Sequence, residues 1–131
     1  MIVYIAGPMS NIPLYNFPEF FRAAKILKDE GYEVRNPAVM SINTWINKGI
    51  IKTFDDWQAG CEIELKNPLP LSVYMRNDYR MLSYCDAIAF LPGWLSSKGA
   101  LIEFEAAKNM CLDCYELINN ELIQIDKVYL Q

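Results

Sequence analysis

Two acidic residues occupy helix positions at which the surrounding pattern predicts apolar side chains. Asp78 lies four residues after Tyr74 and four before Leu82, and Glu103 lies four before Ala107. Residues at this spacing share one face of a helix, so both carboxyl groups are predicted to face inward. Burying an ionised carboxylate is costly without compensating partners, and sequences break their own pattern mostly at functional sites. We therefore predict a two-carboxylate catalytic site. The alternative is that the carboxyls lie at the edge of the apolar helix face, or are buried and paired with backbone amides.

The composition restricts the other chemistry that the chain can perform. Its 131 residues include no histidine, 12 basic residues and 16 acidic residues, for a net charge of -4. The missing imidazoles exclude His-based triads and His-ligated zinc, which leaves acid–base work mainly to carboxylates and tyrosines. The acidic balance disfavours a nucleic-acid polymer as partner, because phosphate backbones are bound by clustered Lys and Arg. A small anionic ligand needs only a few local donors and stays compatible.

Two loops follow predicted strands and offer small residues, hydroxyls and a helix start. Ligands of open parallel sheets bind beyond the carboxyl ends of the strands, and helix N-termini suit anions such as phosphate. Tyr4 lies near the carboxyl end of the first strand, so its hydroxyl can reach the same cleft. Trp94 can stack on a flat ring or pack in the core. The candidate binding residues in the loops are Gly7, Pro8, Met9, Ser10, Gly93, Trp94, Ser97 and Gly99.

An alternation of strands and helices must position these groups. It predicts one α/β domain over 1–131, with a three-layer flavodoxin-like or Rossmann-like fold and a mainly parallel sheet of about five strands. Asn16 is the predicted cap of the first helix. Strands are predicted at 2–6, 32–35, 86–91, 113–118 and 122–129, and helices at 17–30, 72–85 and 97–110.

Residues 38–71 form the least regular part of the pattern. Phe54, Trp57, Cys61 and Leu65 have helical spacing, but Gly, Asn and Pro interrupt both sides. We predict a variable, partly helical insertion that acts as a lid or a subunit contact.

An ordered set of short motifs resembles the nucleoside 2-deoxyribosyltransferase-like family, in its small phage- or prophage-type branch, catalogued largely as a domain of unknown function. The resemblance covers most of the chain except about 38–71 and the C-terminal tail. The motifs are YIAGPMS at 4–10, YNFP at 15–18, YMRND at 74–78, CDA at 85–87, LPGW at 91–94 and SKGALIE at 97–103.

The resemblance implies cleavage of an N-glycosidic bond through a carboxylate nucleophile and a covalent deoxyribosyl intermediate. By alignment, Glu103 falls on the nucleophile and Asp78 on the acid that handles the leaving base. Tyr4 falls on the tyrosine that orients the nucleophile, and Ser97 on a serine that binds the 5′-phosphate in the related 2′-deoxynucleoside 5′-phosphate N-hydrolases. The expected substrate is a small deoxynucleotide or deoxynucleoside, and no metal or cofactor is required.

One departure from the family pattern leaves the substrate open. The hydrolases carry an arginine and serines in the loop after the first strand, whereas residues 7–11 here contain no arginine. Arg76, Lys98 or Ser10 can substitute as phosphate ligands. We expect hydrolysis of a deoxynucleoside 5′-monophosphate, with base exchange by a nucleoside 2-deoxyribosyltransferase or non-catalytic nucleotide sensing as alternatives. A structural or interaction role for 38–71 is a further alternative, supported by Trp45 and Trp57.

The remaining expectations concern location, assembly and thiols. No basic segment with an apolar h-region leads the chain, and no apolar run approaches the ~20 residues of a membrane span, so a cytoplasmic domain without a membrane partner is expected. Relatives in the superfamily form dimers or larger assemblies; we expect a homo-oligomer, with 38–71 and the segment 128–131 as candidate contacts. Cys111 and Cys114 have redox-motif spacing but follow a predicted helix end, so ordinary reduced cysteines are expected.

Overall fold

A five-stranded sheet forms the centre of the protein, whose computed structural model describes residues 1–125. The strand order is β2-β1-β3-β4-β5, and only the last pair is antiparallel. This 2-1-3-4-5 order is that of flavodoxin-like folds and confirms the predicted fold class. The strands are β1 (Ile2–Ala6), β2 (Glu33–Arg35), β3 (Ala87–Phe90), β4 (Asp113–Ile118) and β5 (Glu121–Gln124).

Helices cover both faces of the sheet and complete the three layers. Successive side chains of a strand point to opposite faces. Accordingly, Val3 and Ile5 of β1 pack with the first three helices, whereas Tyr4 and Ala6 pack with the last two. Among residues 1–125, no helix is both long and apolar enough to cross a membrane. The helices are α1 (Phe17–Asp29), α2 (Pro37–Asn47), α3 (Trp57–Lys66), α4 (Leu71–Leu82) and α5 (Lys98–Asn109).

The segment 38–71 is more helical than its sequence pattern indicates, and it belongs to the core. It supplies most of α2, a short 3-10 turn at Phe54–Asp56, and α3. Trp45 is buried in the hydrophobic cluster between the sheet and helices α1, α2 and α3, and Cys61 of α3 belongs to the same cluster. Of the four residues with helical spacing, Cys61 is buried, whereas Leu65 is 74% exposed because α3 turns other residues inward.

The predicted cap of α1 is also corrected. Asn16 has a left-handed backbone (φ 61°) and makes no capping hydrogen bond to the helix. Its side-chain amide instead donates to the Pro8 carbonyl oxygen at 2.9 Å and ties the loop after β1 to the start of α1. Asn11 and Tyr15, with φ of 64° and 53°, are also left-handed. Non-glycine residues in this region store strain, which tends to concentrate at functional sites.

The structure describes only part of the C-terminal region, so the sequence predictions for this region are tested only in part. The strand predicted at 122–129 is observed as Glu121–Gln124; Ile125 lies beyond its end, and residues 126–129 lie outside the described residues, as does the candidate contact segment 128–131. Cys111 is exposed after α5, and Cys114 is buried in β4. Within the described part of the chain all four cysteines are free.

Candidate functional site

A cavity of about 630 Å³ opens beyond the carboxyl ends of the parallel strands. Its position matches the rule that ligands of open α/β sheets bind where the loops leave the strands. The volume falls in the range of small-molecule sites, roughly 300–1,000 Å³. Eight of the predicted site residues line it: Gly7, Pro8, Met9, Ser10, Asp78, Ser97, Gly99 and Glu103.

The floor of the cavity requires close packing between the loops after β1 and β3. A Cβ atom added to Gly7 would lie 2.8 Å from Leu91 Cβ, so only glycine fits there without a shift of the backbone. Gly93 has φ +87°, and a Cβ at that position would lie 3.5 Å from the Pro8 ring. The two loops that the sequence singled out are therefore neighbours.

Glu103 is held in the cavity wall by a hydrogen bond from Tyr4. Tyr4 is fully buried in β1, and its hydroxyl donates to Glu103 Oε2 on α5. The pKa of Tyr4 is raised well above its ordinary value, first by burial and then by the charges of Glu103 and Asp78. Tyr4 therefore stays protonated and keeps its donor directed at Glu103.

Asp78 of α4 is the second carboxyl of the pair, and α4 packs on the same face of the sheet as α5, which carries Glu103. Burial raises the pKa of Asp78 to about 7. Burial also raises the pKa of Glu103 to about 8, the Tyr4 hydrogen bond lowers it, and the charge of Asp78 raises it further. Between these two values the pair holds about one proton. Two carboxyls that together carry one proton can divide the roles of acid and nucleophile between them.

The N-terminus of α5 forms the side of the cavity that suits an anion. Ser97 caps this 12-residue helix by accepting a hydrogen bond from the Ala100 backbone N–H at 3.2 Å. Lys98 also lines the cavity here, together with Ser10 from the opposite loop. Backbone N–H groups, two hydroxyls and one ammonium group thus surround the same opening.

Three predicted binding residues do not line the cavity. Arg76 is exposed on α4, and Gly93 lies in the turn beneath Pro8. Trp94 is 4% exposed and stacks on Phe90, with ring centroids 4.3 Å apart, and it also packs edge-on against Phe104. Its ring therefore supports α5 from inside the core rather than facing a ligand.

The opposite end of the cavity is aromatic and was missed by the sequence analysis. Trp45 of α2 donates from Nε1 to the Tyr74 hydroxyl on α4 at 3.0 Å, and both rings line the cavity together with Tyr15. Glu64 of α3 lines the same end and is buried. Tyr15 and Tyr74 stand in two of the quoted motifs, but no role was assigned to them, and no sequence pattern pointed to Glu64.

Over residues 1–125, no three Cys, Asp or Glu side chains gather closely enough to hold a metal ion.

The comparisons with known proteins identify a family but no curated relative. The family described as "Domain of unknown function (DUF4406)" has a model that matches residues 1–116, so the chain belongs to this family. The matched range contains every residue placed in the cavity above. No curated protein matches the chain.

Proposed function

For this DUF4406 protein we propose cleavage of the N-glycosidic bond of a 2′-deoxynucleotide or deoxynucleoside, in particular hydrolysis of a deoxynucleoside 5′-monophosphate. The observation that carries the proposal is the pair Glu103 and Asp78, two carboxyls with raised pKa values in one cavity, the first held by a buried tyrosine. Glycosidic cleavage with retention uses two carboxyls, one as nucleophile and one as proton donor.

The two carboxyls take different parts in the first step. Glu103 attacks the anomeric C1′ as its bond to the base breaks, and Asp78 gives its proton to the departing base. This step needs the shared proton on Asp78, although the higher pKa belongs to Glu103. The hydrogen bond from Tyr4 lowers the pKa of Glu103, and it thereby brings the arrangement with the proton on Asp78 to within about one pKa unit of the arrangement with the proton on Glu103.

The second step releases the sugar from Glu103. Asp78, now ionised, takes a proton from a water molecule, and the resulting hydroxide oxygen attacks C1′. The ester bond to Glu103 breaks, the carboxylate is restored, and the sugar leaves with net retention. A free base in place of water would complete a base exchange by the same route.

The groups at the start of α5 support a 5′-phosphate on the substrate. The Ser97 hydroxyl uses its oxygen to cap the helix and keeps its own proton for a phosphate oxygen. Lys98 and Ser10, two of the substitutes for the missing loop arginine, line the cavity, whereas Arg76 does not. Hydrolysis of a monophosphate is therefore the preferred form of the proposal.

A base-release assay tests the proposal. Deoxynucleoside 5′-monophosphates and deoxynucleosides are incubated with the protein, with and without a second free base, and separated by chromatography. We expect free base from the monophosphates, and none with Glu103→Gln. Glu105→Gln on the same helix is the matched control, since Glu105 is exposed and outside the cavity.

Other outcomes of this assay assign the alternatives. A new nucleoside that forms only with added base would make the protein a transferase. Nucleotide binding without any cleavage would contradict the catalytic roles and favour a sensing module.

A further inference from the structure

Glu64 carries a buried carboxylate oxygen that has no partner among the described residues. The residue is 7% exposed, and it lies on α3 in the wall of the cavity. Its Oε1 accepts a hydrogen bond from the Leu69 backbone N–H at 3.2 Å, whereas Oε2 accepts none. A buried acceptor without a donor costs free energy, so such a group calls for a functional explanation.

The surroundings of Glu64 offer no cation within residues 1–125. None of the ion pairs there includes Glu64. Burial raises the pKa values of Tyr15, Cys61 and Tyr74, and the charge of Glu64 raises each further, so a thiol and two phenols are the titratable groups around it. The Tyr74 hydroxyl accepts from Trp45 and lies close enough to the Glu64 carboxylate that hydrogen bonding to it raises the pKa of Tyr74, whereas Oε2 itself has no hydrogen-bond partner among the described residues.

The position of Glu64 relative to Asp78 indicates which part of a ligand it meets. Tyr74 and Asp78 are four residues apart on α4, so they lie on one face about one helical turn apart. Glu64 faces the Tyr74 end of that row. A base that receives a proton from Asp78 and lies along Tyr74 therefore presents its far edge to Glu64.

We propose that Glu64 determines base specificity by accepting a hydrogen bond through Oε2 from an exocyclic amino group of the base. This inference rests on the proposed function for the identity of the ligand. An ionised carboxylate is an acceptor only, so it pairs with an amino group and repels a carbonyl oxygen at the same place. Glu and Asp accept from the cytosine amino group in this way in nucleic-acid recognition. The protein then prefers cytosine and adenine to uracil and hypoxanthine.

Substitution of Glu64 by glutamine replaces the free acceptor, Oε2, with a hydrogen-bond donor. Glu64→Gln has one carbonyl oxygen, which stays with the Leu69 N–H, so its amide NH2 takes the place of Oε2 and donates. We expect the wild-type preference for dCMP over dUMP, and for dAMP over dIMP, to fall by at least about tenfold, the size of a hydrogen bond to a charged group. Glu62→Gln on the exposed side of α3 is the matched control and leaves the preference unchanged.

Equilibrium binding keeps this test separate from the test of catalysis. The four nucleotides are titrated calorimetrically against Glu103→Gln, alone and combined with Glu64→Gln. Amino-selective binding that is lost with Glu64→Gln supports the inference even when the wild type releases no base. Equal binding of dCMP and dUMP by the parent, or a ratio that Glu64→Gln leaves unchanged, overturns it even when base release is observed. Glu64→Asp, which withdraws the carboxylate by one methylene, is the second variant and is expected to weaken the preference without reversing it.

Discussion

Replacing Glu103 with glutamine is expected to stabilise the protein at alkaline pH. The substitution keeps the volume of the side chain and an oxygen that can accept from Tyr4, but it removes the negative charge. Because burial raises the pKa of Glu103 from 4.5 to about 8, the folded protein binds a proton that the unfolded chain releases. Wild-type stability therefore decreases as the pH rises from about 4.5 to about 8, and the penalty is complete above that range.

The size of the expected stabilisation follows from the two pKa values of Glu103, 4.5 in the unfolded chain and about 8 in the folded protein. At about 1.4 kcal/mol per pH unit, the difference between 4.5 and about 8 sets an upper bound of roughly 5 kcal/mol. Partial solvation of the carboxylate and the proton shared with Asp78 reduce the expected gain from Glu103→Gln to about 2 kcal/mol at pH 9. For a chain of this length that gain raises the Tm by about 5–10 °C.

Thermal unfolding at pH 5 and at pH 9 measures the effect. We expect a higher Tm for Glu103→Gln at pH 9 and nearly equal Tm values at pH 5, where Glu103 is protonated in the folded wild type. Glu105→Gln, at a side chain that is 65% exposed, serves as the control and should show no such pH dependence. Equal Tm values of wild type and Glu103→Gln at pH 9 would refute the argument that this carboxylate is held in a desolvated site.

Three further results are expected. The rate of base release follows a bell-shaped pH profile, falling below about 7 as both carboxyls become protonated and above about 8 as both ionise; a flat profile from pH 6 to 9 would exclude the shared proton. Tyr4→Phe lowers kcat by about tenfold or more and moves the alkaline limb to higher pH, since it removes the hydrogen bond that lowers the pKa of Glu103; an unmoved alkaline limb would remove Tyr4 from the mechanism. Gly60→Ala places a Cβ 2.5 Å from Trp45 Cε3 and costs about 1–3 kcal/mol in denaturant unfolding, whereas Gly99→Ala, with nothing within 4 Å, costs less; equal costs would contradict the packing.

The inward-facing pair of carboxyls was predictable because its signal is local. Asp78 and Glu103 interrupt apolar stripes within single helices, and helical periodicity determines which face a residue occupies whatever the helix packs against. The mainly parallel sheet needed only the alternation of strands and helices, whereas the order of its strands was not predicted. Tyr4 is a similar case, since alternation along β1 places it on the face that carries α5.

The aromatic end of the cavity was not predictable in the same way. The helical spacing noted at 54–65 includes Cys61 but not Glu64, whereas the face of α3 that packs inward carries Gly60, Cys61 and Glu64. Gly60 lets the helix approach the Trp45 ring, a contact between segments far apart in the sequence. That contact turns Glu64 inward.

Trp94 illustrates the converse error. A tryptophan in a loop beside a predicted ligand site suggests stacking on a base. The 3-10 turn at Trp94–Ser96 instead directs the indole between Phe90 and Phe104. Which side of a loop a ring occupies depends on the packing of its neighbours, and single-sequence patterns do not contain that information.

Trapping the glycosyl-enzyme tests the central claim most directly. A deoxynucleoside 5′-monophosphate carrying fluorine at C2′ slows the breakdown of a covalent intermediate, because fluorine destabilises the oxocarbenium-like transition state. We predict that intact-protein mass spectrometry shows one added fluorinated sugar phosphate, and that peptide mapping places it on Glu103. Base release without any adduct, or an adduct on another residue, would contradict the assignment of Glu103 as the nucleophile.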